Sequence, residues 1–439
     1  MSPNRLGKSV GAVVVLALAL TVGGLTVGDD APESAPQRIT VADPARLGGA
    51  DLDRAVNSLQ TQLRSQPKDF GSWAALGTAY VEQARVKGDP SRYRLAQEAL
   101  TRSLELRPGF DVALAGQAGL AAARHDFKSA LRLVREALAE NPYNERALAL
   151  RIDALVELGR YDEAWSAAQQ ADARRPGIPV FTRFAYVLEL RGEVGRALEV
   201  LTRALGSATS AADRAYVATE LGQLARRHGD YKTALRHYAT ALQASPGYLP
   251  ALEGRARAKA ASGETDATIR DLGDVVRRAP LPSSLVTLGE LYEAGGRSEL
   301  AREQYALVDA WVALARANGV ATDLEVALAG ADHGDKKAAL TAARAEWERR
   351  RTVHTADALA WALHVNGRSD EALAYAQRAT ATGFQDASFL YHRGAIEAAT
   401  GREPAAHRSL SAALKLDPGF SPTGARAARE LLERVGGAS

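Results

Sequence analysis

The chain has 439 residues, 46% hydrophobic and 24% charged, too long for one compact core and too apolar for wholesale disorder. Lys and Arg number 55 against 52 for Asp and Glu, so no overall basic field draws in nucleic acid. There is no cysteine, which excludes disulfides, thiolate nucleophiles, Cys-based zinc sites and a lipid-modified N-terminal Cys.

Arg5 and Lys8 precede an uncharged run from Ser9 to Gly28, and Asp29 and Asp30 follow at once. A basic start before an apolar stretch is the layout of an export signal, with its positive end kept in the cytoplasm. The run just reaches the length of about 20 residues that a helix needs to cross a bilayer. Only weak cleavage choices occur, near Gly28 and Ala31, so residues 1–28 are read as an uncleaved anchor in preference to a removed signal peptide. Either way the rest of the chain is expected outside the cytoplasm, membrane-anchored or secreted. Residues 29–50 carry Pro32, Pro36 and Pro44 among small side chains and read as a flexible tether.

Beyond the tether the text repeats itself. Glycines at 159, 192, 229, 263, 296, 334, 367 and 401 recur at intervals of 33 to 38 residues. His125 fills the same slot one interval before Gly159. Prolines 108, 142 and 176, then 246 and 280, close successive units, and Pro67 and Pro418 take that place near the ends. Each unit divides into two amphipathic stretches of about a dozen residues, such as 215–227 and 231–243 around the turn His228-Gly229-Asp230. Nothing alternates in the manner of a half-buried strand.

Trp73-Ala-Ala-Leu76-Gly77-Thr-Ala-Tyr80 fits the W-x2-L-G-x2-Y signature and resembles the tetratricopeptide-repeat (TPR) family. Leu288-Gly289-Glu-Leu-Tyr292 repeats its second half, and Leu221-Gly222 keeps its centre. The small residue opening the second helix is Ala96, Ala130, Ala164, Ala197, Ala234, Ala301, Ala339, Ala372 and Ala406, with Thr268 the departure. The resemblance implies an all-α, right-handed TPR superhelix, an α-solenoid of roughly ten helix–turn–helix repeats over residues 70–420. Residues 51–69 would cap it as a half-repeat and 421–439 as a closing helix and tail, with Arg426, Glu430 and Glu433 facing water. Trp73, Tyr80, Tyr238, Tyr292 and Tyr305 fall in packing slots. Departures are an insertion at Val86–Arg92, lengthened units at Ala204–Asp213 and Val308–Asp323, and a degenerate unit near Gly334.

The sequence carries no pattern of catalytic chemistry. The eight histidines show no zinc-protease spacing, and no nucleophile elbow or phosphate loop occurs. His125 and His228 sit at inter-helix turns, where a solvated imidazole is expected. Acid pairs such as Asp162–Glu163 and Asp370–Glu371 open second helices, where they complement the helix dipole. No catalytic residue, metal, cofactor or small-molecule substrate is therefore expected.

In TPR proteins the first helix of each unit lines a concave groove that commonly holds a peptide or an extended partner segment. Carried across in helical phase, the groove positions here are Asp153, Glu157, Tyr186, Glu189, Gln223, Arg226, Arg227, Arg257, Glu290, Glu293, Trp361, His364 and Tyr391. Arg226, Arg227 and Arg257 come from adjacent units and are expected to converge, either to grip an acidic segment or as a solvated, stabilising face. The Lys/Asn/Arg set of the peptide-clamp TPR proteins is not found. The reading is a non-enzymatic scaffold or adaptor at the cell envelope, with other proteins as partners and the membrane touched through the N-terminal segment. The alternatives are a regulatory subunit that docks a catalytic enzyme, which would show an added non-repeat domain, and a lytic enzyme on a helical solenoid, which would show a cleft carboxylate out of register.

Overall fold

The computed structural model describes residues 49–437, which form helices and turns with no strand among them. The Ser9–Gly28 run, the anchor read from it and most of the tether lie outside the described residues. No helix among the described residues is long and apolar enough to cross a membrane.

A single helix, α1 (Gly49–Ser65), opens the array. Ten helical hairpins follow. The first five are α2 (Phe70–Lys87) with α3 (Arg92–Leu106), α4 (Asp111–Ala123) with α5 (Phe127–Glu140), α6 (Glu145–Glu157) with α7 (Tyr161–Arg174), α8 (Ile178–Leu190) with α9 (Val194–Gly206), and α10 (Ala211–Arg227) with α11 (Tyr231–Ala244). The second five are α12 (Leu249–Ala261) with α13 (Thr265–Arg278), α14 (Pro282–Ala294) with α15 (Ser298–Ala317), α16 (Asp323–His333) with α17 (Lys336–Arg349), α18 (Val353–Val365) with α19 (Ser369–Ala379), and α20 (Ala387–Ala399) with α21 (Glu403–Leu416). A last helix, α22 (Gly424–Gly436), closes the series.

The hairpins close because small residues face large ones. A methyl built on Gly222 or on Gly254, in the first helices of neighbouring units, would lie 2.6 or 2.4 Å from the ring of Tyr238, which is fully buried. Leu100 occupies the same place against Gly77 and Gly116, at 2.5 and 2.4 Å. The alanines that open the second helices are buried as well. Thr268 is accommodated because its hydroxyl donates to the Glu264 carbonyl at 2.6 Å, so no buried polar group is left unmade.

The turns are capped locally. Asp126, Asn144 and Asp230 accept from the backbone N–H groups of Ser129, Ala147 and Thr233. Among the acid pairs, Glu163 takes two nitrogens of Arg160 and Glu371 two of Arg368, one turn apart. At the ends, α1 buries Leu52, Val56, Leu59 and Leu63, whereas α22 buries Ala425, Ala428 and Val435 and exposes Arg426, Glu430 and Glu433.

The coil returns onto itself. Hydrogen bonds and ion pairs join residues 186 to 200 apart in sequence, between five and six repeat lengths. They form a regular seam, in which the tight turn inside a unit of the first coil meets the segment leading into a first helix of the second. The Arg124 carbonyl accepts from Ala321 N at 3.1 Å and His125 Nδ1 lies 2.7 Å from the Ala321 carbonyl. Tyr161 OH accepts from Val353 N at 2.9 Å, and Tyr231 OH accepts from Gly419 N at 3.0 Å while meeting Asp417. A Cβ on Gly159 would come 2.3 Å from the Arg351 carbonyl oxygen, and one on Gly229 2.5 Å from that of Leu416. Those turn residues sit at positive φ, where glycine is unstrained; among the described residues His125 is the one non-glycine that does so, at 61°. The later turn glycines, Gly263, Gly296, Gly367 and Gly401, have nothing within 4 Å of a would-be side chain, and the last close approach is that of Gly419, whose Cβ would come 2.7 Å from Ala261 Cα beside the first of these turns.

His125 and His228 are therefore not freely solvated, contrary to expectation. His125 is in the seam, and His228 Nε2 lies 3.8 Å from the buried Glu189 carboxylate.

The lengthened seventh unit has a structural purpose. The first part of α15 buries Val308 and Val312 with Leu285, Leu288 and Leu291 of its own unit. Its extra turns carry Ala315, and Val320 just beyond, into the core built from Tyr93, Ala96, Leu100 and Leu120 of the first two units. The insertion at Val86 instead prolongs α2 to Lys87, and the degenerate unit has a short first helix, α16, of 11 residues.

Candidate partner-binding groove

The first helices of successive units present one polar row each, and the structure ties these rows together. Both Asp153 oxygens on α6 accept from Arg183 Nε on α8 at 3.2 and 3.1 Å, and Arg183 Nη1 donates to Tyr216 OH on α10 at 3.1 Å. Glu189 on α8 is 3% exposed and takes two 2.7 Å bonds from Arg227 on α10. A buried carboxylate requires such a partner, and the planar guanidinium supplies two parallel donors. Glu157 meets Arg350 across the seam, and Arg350 also meets Glu346.

Arg226 lies near Arg227 and Arg257. Two of the three guanidinium groups are engaged within the chain: Arg227 with Glu189, and Arg257 with Glu253 at 2.9 Å and the Ser283 carbonyl at 2.8 Å. Arg226 is lodged beside Tyr238 and its Nε has no hydrogen-bond partner, so burial, with its cationic neighbours, depresses its pKa.

Between α8, α9 and α10 lies a cavity of about 170 Å³. Its walls include Ala185, Leu201 and Leu224, and its polar groups are Thr182, Tyr186, Glu189, Glu220 and Arg227. Glu220 has no hydrogen bond or ion pair within contact distance among the described residues. Burial raises its pKa against the pull of Arg227 and Arg183. Burial likewise pushes the Tyr186 phenol up, helped by Glu157. Gln223 stands one turn further along α10, half-buried.

The remaining expected residues gather in the second coil. Glu290 and Glu293 on α14 lie 3.4 and 3.5 Å from the two nitrogens of His333, whose ring stacks on Tyr305 at 4.2 Å; Tyr305 OH donates to Glu293 at 2.9 Å. Trp361 stacks on His392 at 4.2 Å and on His364 at 5.1 Å, and its Nε1 donates to Asp332 at 2.7 Å. Tyr391 packs between Trp361 and Phe420, and burial raises its phenol to about 12. His392 Nδ1 lies 2.9 Å from the buried Asp357. Among the described residues no group of three or more His, Asp or Glu side chains is arranged to hold a metal ion.

Helical phase missed Arg183 and Glu220, which stand one turn before Tyr186 and Gln223 on the same faces. Extending each row by one turn toward the helix start would have found them. Arg350, Asp357 and His392 are set by contacts across coils or between units and leave no such mark.

These histidines make stability depend on pH in two directions. His354 packs against Phe384 and Phe389, and burial takes its imidazole down to about 4, with Asp357 opposing and Arg350 and Arg227 assisting. Its folded value lies below the ordinary 6.5, so its stabilisation is complete above about pH 6.5 and is lost as pH falls toward 4. The loss is at most about 3 kcal/mol. In His333 and His392 burial opposes the charge, but Glu290 and Asp357 outweigh it and raise the pKa, so their contribution is lost instead as pH rises. Thermal unfolding followed from pH 7 to pH 4 is expected to fall less steeply in His354→Gln than in the wild type. Parallel curves would show that His354 does not carry the acid sensitivity.

Residues 121–180 match one family model described as tetratricopeptide repeat, and residues 183–248 and 358–421 match a second of the same description. Those segments are tetratricopeptide repeats, and the 22 described helices fit an array of them. No curated protein matches the chain. Similar solved structures include a thermophilic TPR protein of Thermus thermophilus, 24% identical over 38% of this chain and 91% of that one, with a TM-score of 0.36. A Pseudomonas aeruginosa protein, pilF, is 22% identical over 49% of this chain and 94% of its own, TM-score 0.34. A tetratricopeptide repeat protein of Parabacteroides merdae is 20% identical over 59% and 98%, TM-score 0.35.

Proposed function

We propose that this repeat array is a non-enzymatic scaffold that binds an extended segment of another protein along its concave groove, at the cell envelope. The observation that supports it most is the cavity between α8 and α10, where Glu220 stands without a direct partner while the carboxylates around it are paired. A partner side chain that reaches past apolar walls and ends in a cation fits that cavity, which makes a lysine or arginine of the bound segment its natural occupant. The other groove residues expected from the sequence, from Asp153 to Tyr391, extend the track on which the rest of the segment lies. The basic start and apolar run at residues 5–28 support an extracytoplasmic position held by the N-terminal segment.

The test is affinity capture from envelope extract with the full chain beside Glu220→Lys, both checked for an unchanged unfolding temperature. Capture of a partner by the wild type, and its loss at least tenfold in the variant, is the expected result. Equal capture by both would remove the groove from the binding site. Digestion of the array by protease added to intact spheroplasts tests the location, and full protection there would overturn it.

A further inference from the structure

The second helices of the repeats carry charged outer faces, and α15 departs furthest from this. Along it Leu300, Leu307 and Leu314 are 37%, 45% and 44% exposed, one heptad apart. Ala306, Ala310, Ala313 and Ala317 are exposed beside them. Other exposed large apolar residues, Val112, Tyr143, Leu198 and Leu328, stand singly on separate elements. A sevenfold apolar spacing is the seam of a helix pair, because it keeps the same face turned to a second helix over successive turns. The buried face of α15 is already filled by its own unit and the first coil, so this stripe is a second, outward one.

The stripe is complementary to itself in one orientation. Turned antiparallel about Ala310, Leu307 of one helix faces Ala313 of the other, and Leu314 faces Ala306, so that each large side chain meets a small one. The exposed Glu303 then comes beside the half-exposed Arg316 of the other copy, which within its own chain also holds Thr322 at 2.8 Å and Asp323 at 3.4 Å. A parallel pairing would set Leu307 on Leu307 and Glu303 on Glu303, crowding and repelling at once. Opposed helix dipoles favour the antiparallel choice as well. We propose that α15 pairs antiparallel with α15 of a second copy of this chain, across a two-fold axis at Ala310.

The contact runs about 21 Å, between positions 303 and 317, which face each other across the axis, at about 1.5 Å per residue, and Leu300 lies just beyond it. One helix pair of that length buries less than the roughly 1,200 Å² of a standard stable interface, so the dimer is expected to form with a micromolar dissociation constant. The absence of cysteine makes the test direct. Helices packed about 8 Å apart through alanine bring facing Cα atoms within the roughly 4.4–6.8 Å that a disulfide spans. Ala310→Cys in the full chain is therefore expected to form a covalent dimer on mild oxidation at least tenfold faster than Leu198→Cys, a similarly exposed site on α9. Sedimentation of the wild type from about 1 to 200 μM should show a monomer–dimer shift, absent in Leu307→Glu, whose side chain lies outside the core. A wild type that stays monomeric throughout, or equal oxidation of the two cysteine variants, would overturn the pairing.

Discussion

Gly192→Val is expected to lower the unfolding free energy by about 2–5 kcal/mol, well beyond what the same change does at Gly367. Both glycines sit at positive φ, 78° and 75°, so both substitutions place a β-branched residue in the left-handed region at about 1–2 kcal/mol. Of the two, Gly192 has a neighbour across the seam. Its Cβ would come 2.9 Å from the Gly383 carbonyl oxygen, and a Cβ on Gly383 would come 2.9 Å from that of Arg191. Two backbones meet there with no side chain between them, and overpacking such a contact costs a further ~1–3 kcal/mol. Gly367 has nothing within 4 Å and reports backbone strain alone. Urea unfolding of both variants measures the difference, and amide exchange at Phe384 and its neighbours shows whether the seam has opened. If the two variants lose the same stability, the meeting of the coils contributes nothing to holding the array together.

The second large effect is expected at the Glu189–Arg227 pair. Glu189 is 3% exposed and Arg227 24%, so Arg227→Ala, which leaves the buried carboxylate unpaired, should cost about 3–5 kcal/mol, and Glu189→Ala, which leaves the more exposed guanidinium, less. Removing both, as Glu189→Leu with Arg227→Leu, takes away the attraction and both desolvation penalties together. The double variant is expected to be more stable than either single one, by an interaction of ~1–3 kcal/mol in a double-mutant cycle. His228, 3.8 Å from Glu189, should bind a proton less readily once that carboxylate is gone. Single substitutions that cost less than about 1 kcal/mol would mean that water reaches the pair freely.

These two sites mark different degrees of legibility. The helices and turns around Gly192 follow from signals within one repeat: glycine after the first helix, alanine opening the second, proline after it. Gly192 was recognisable as a turn residue because its slot recurs from unit to unit. Its close approach to Gly383 was not, since nothing within one repeat length of it reports on a segment more than five repeats away. The groove shows the same division. Phase along a helix placed Asp153, Glu189 and Arg227 on a common inner face, but whether Arg227 meets a partner protein or Glu189 depends on how far α10 is rotated against α8. Arg226, Arg227 and Arg257 look alike as a sequence pattern, yet one is bidentate to a carboxylate, one is bound to Glu253 and a carbonyl, and one is lodged beside Tyr238. The heptad of leucines on α15 was present in the sequence throughout. It stood out only when its other face proved to be filled, because exposure distinguishes a docking stripe from a core stripe and spacing does not.

The sequence by itself determined the unit: its two helices, its turn chemistry, its small-to-large packing and its number of copies. Each of these rests on contacts between residues a few turns or one repeat apart, and the signal is renewed at every repeat. Only the tertiary structure decided the path of the coil, the seam, the pairing of the groove charges and the destination of the long seventh unit. Small rotations between neighbouring units accumulate over more than five repeats before the chain meets itself, and that sum is encoded in no single residue or spacing.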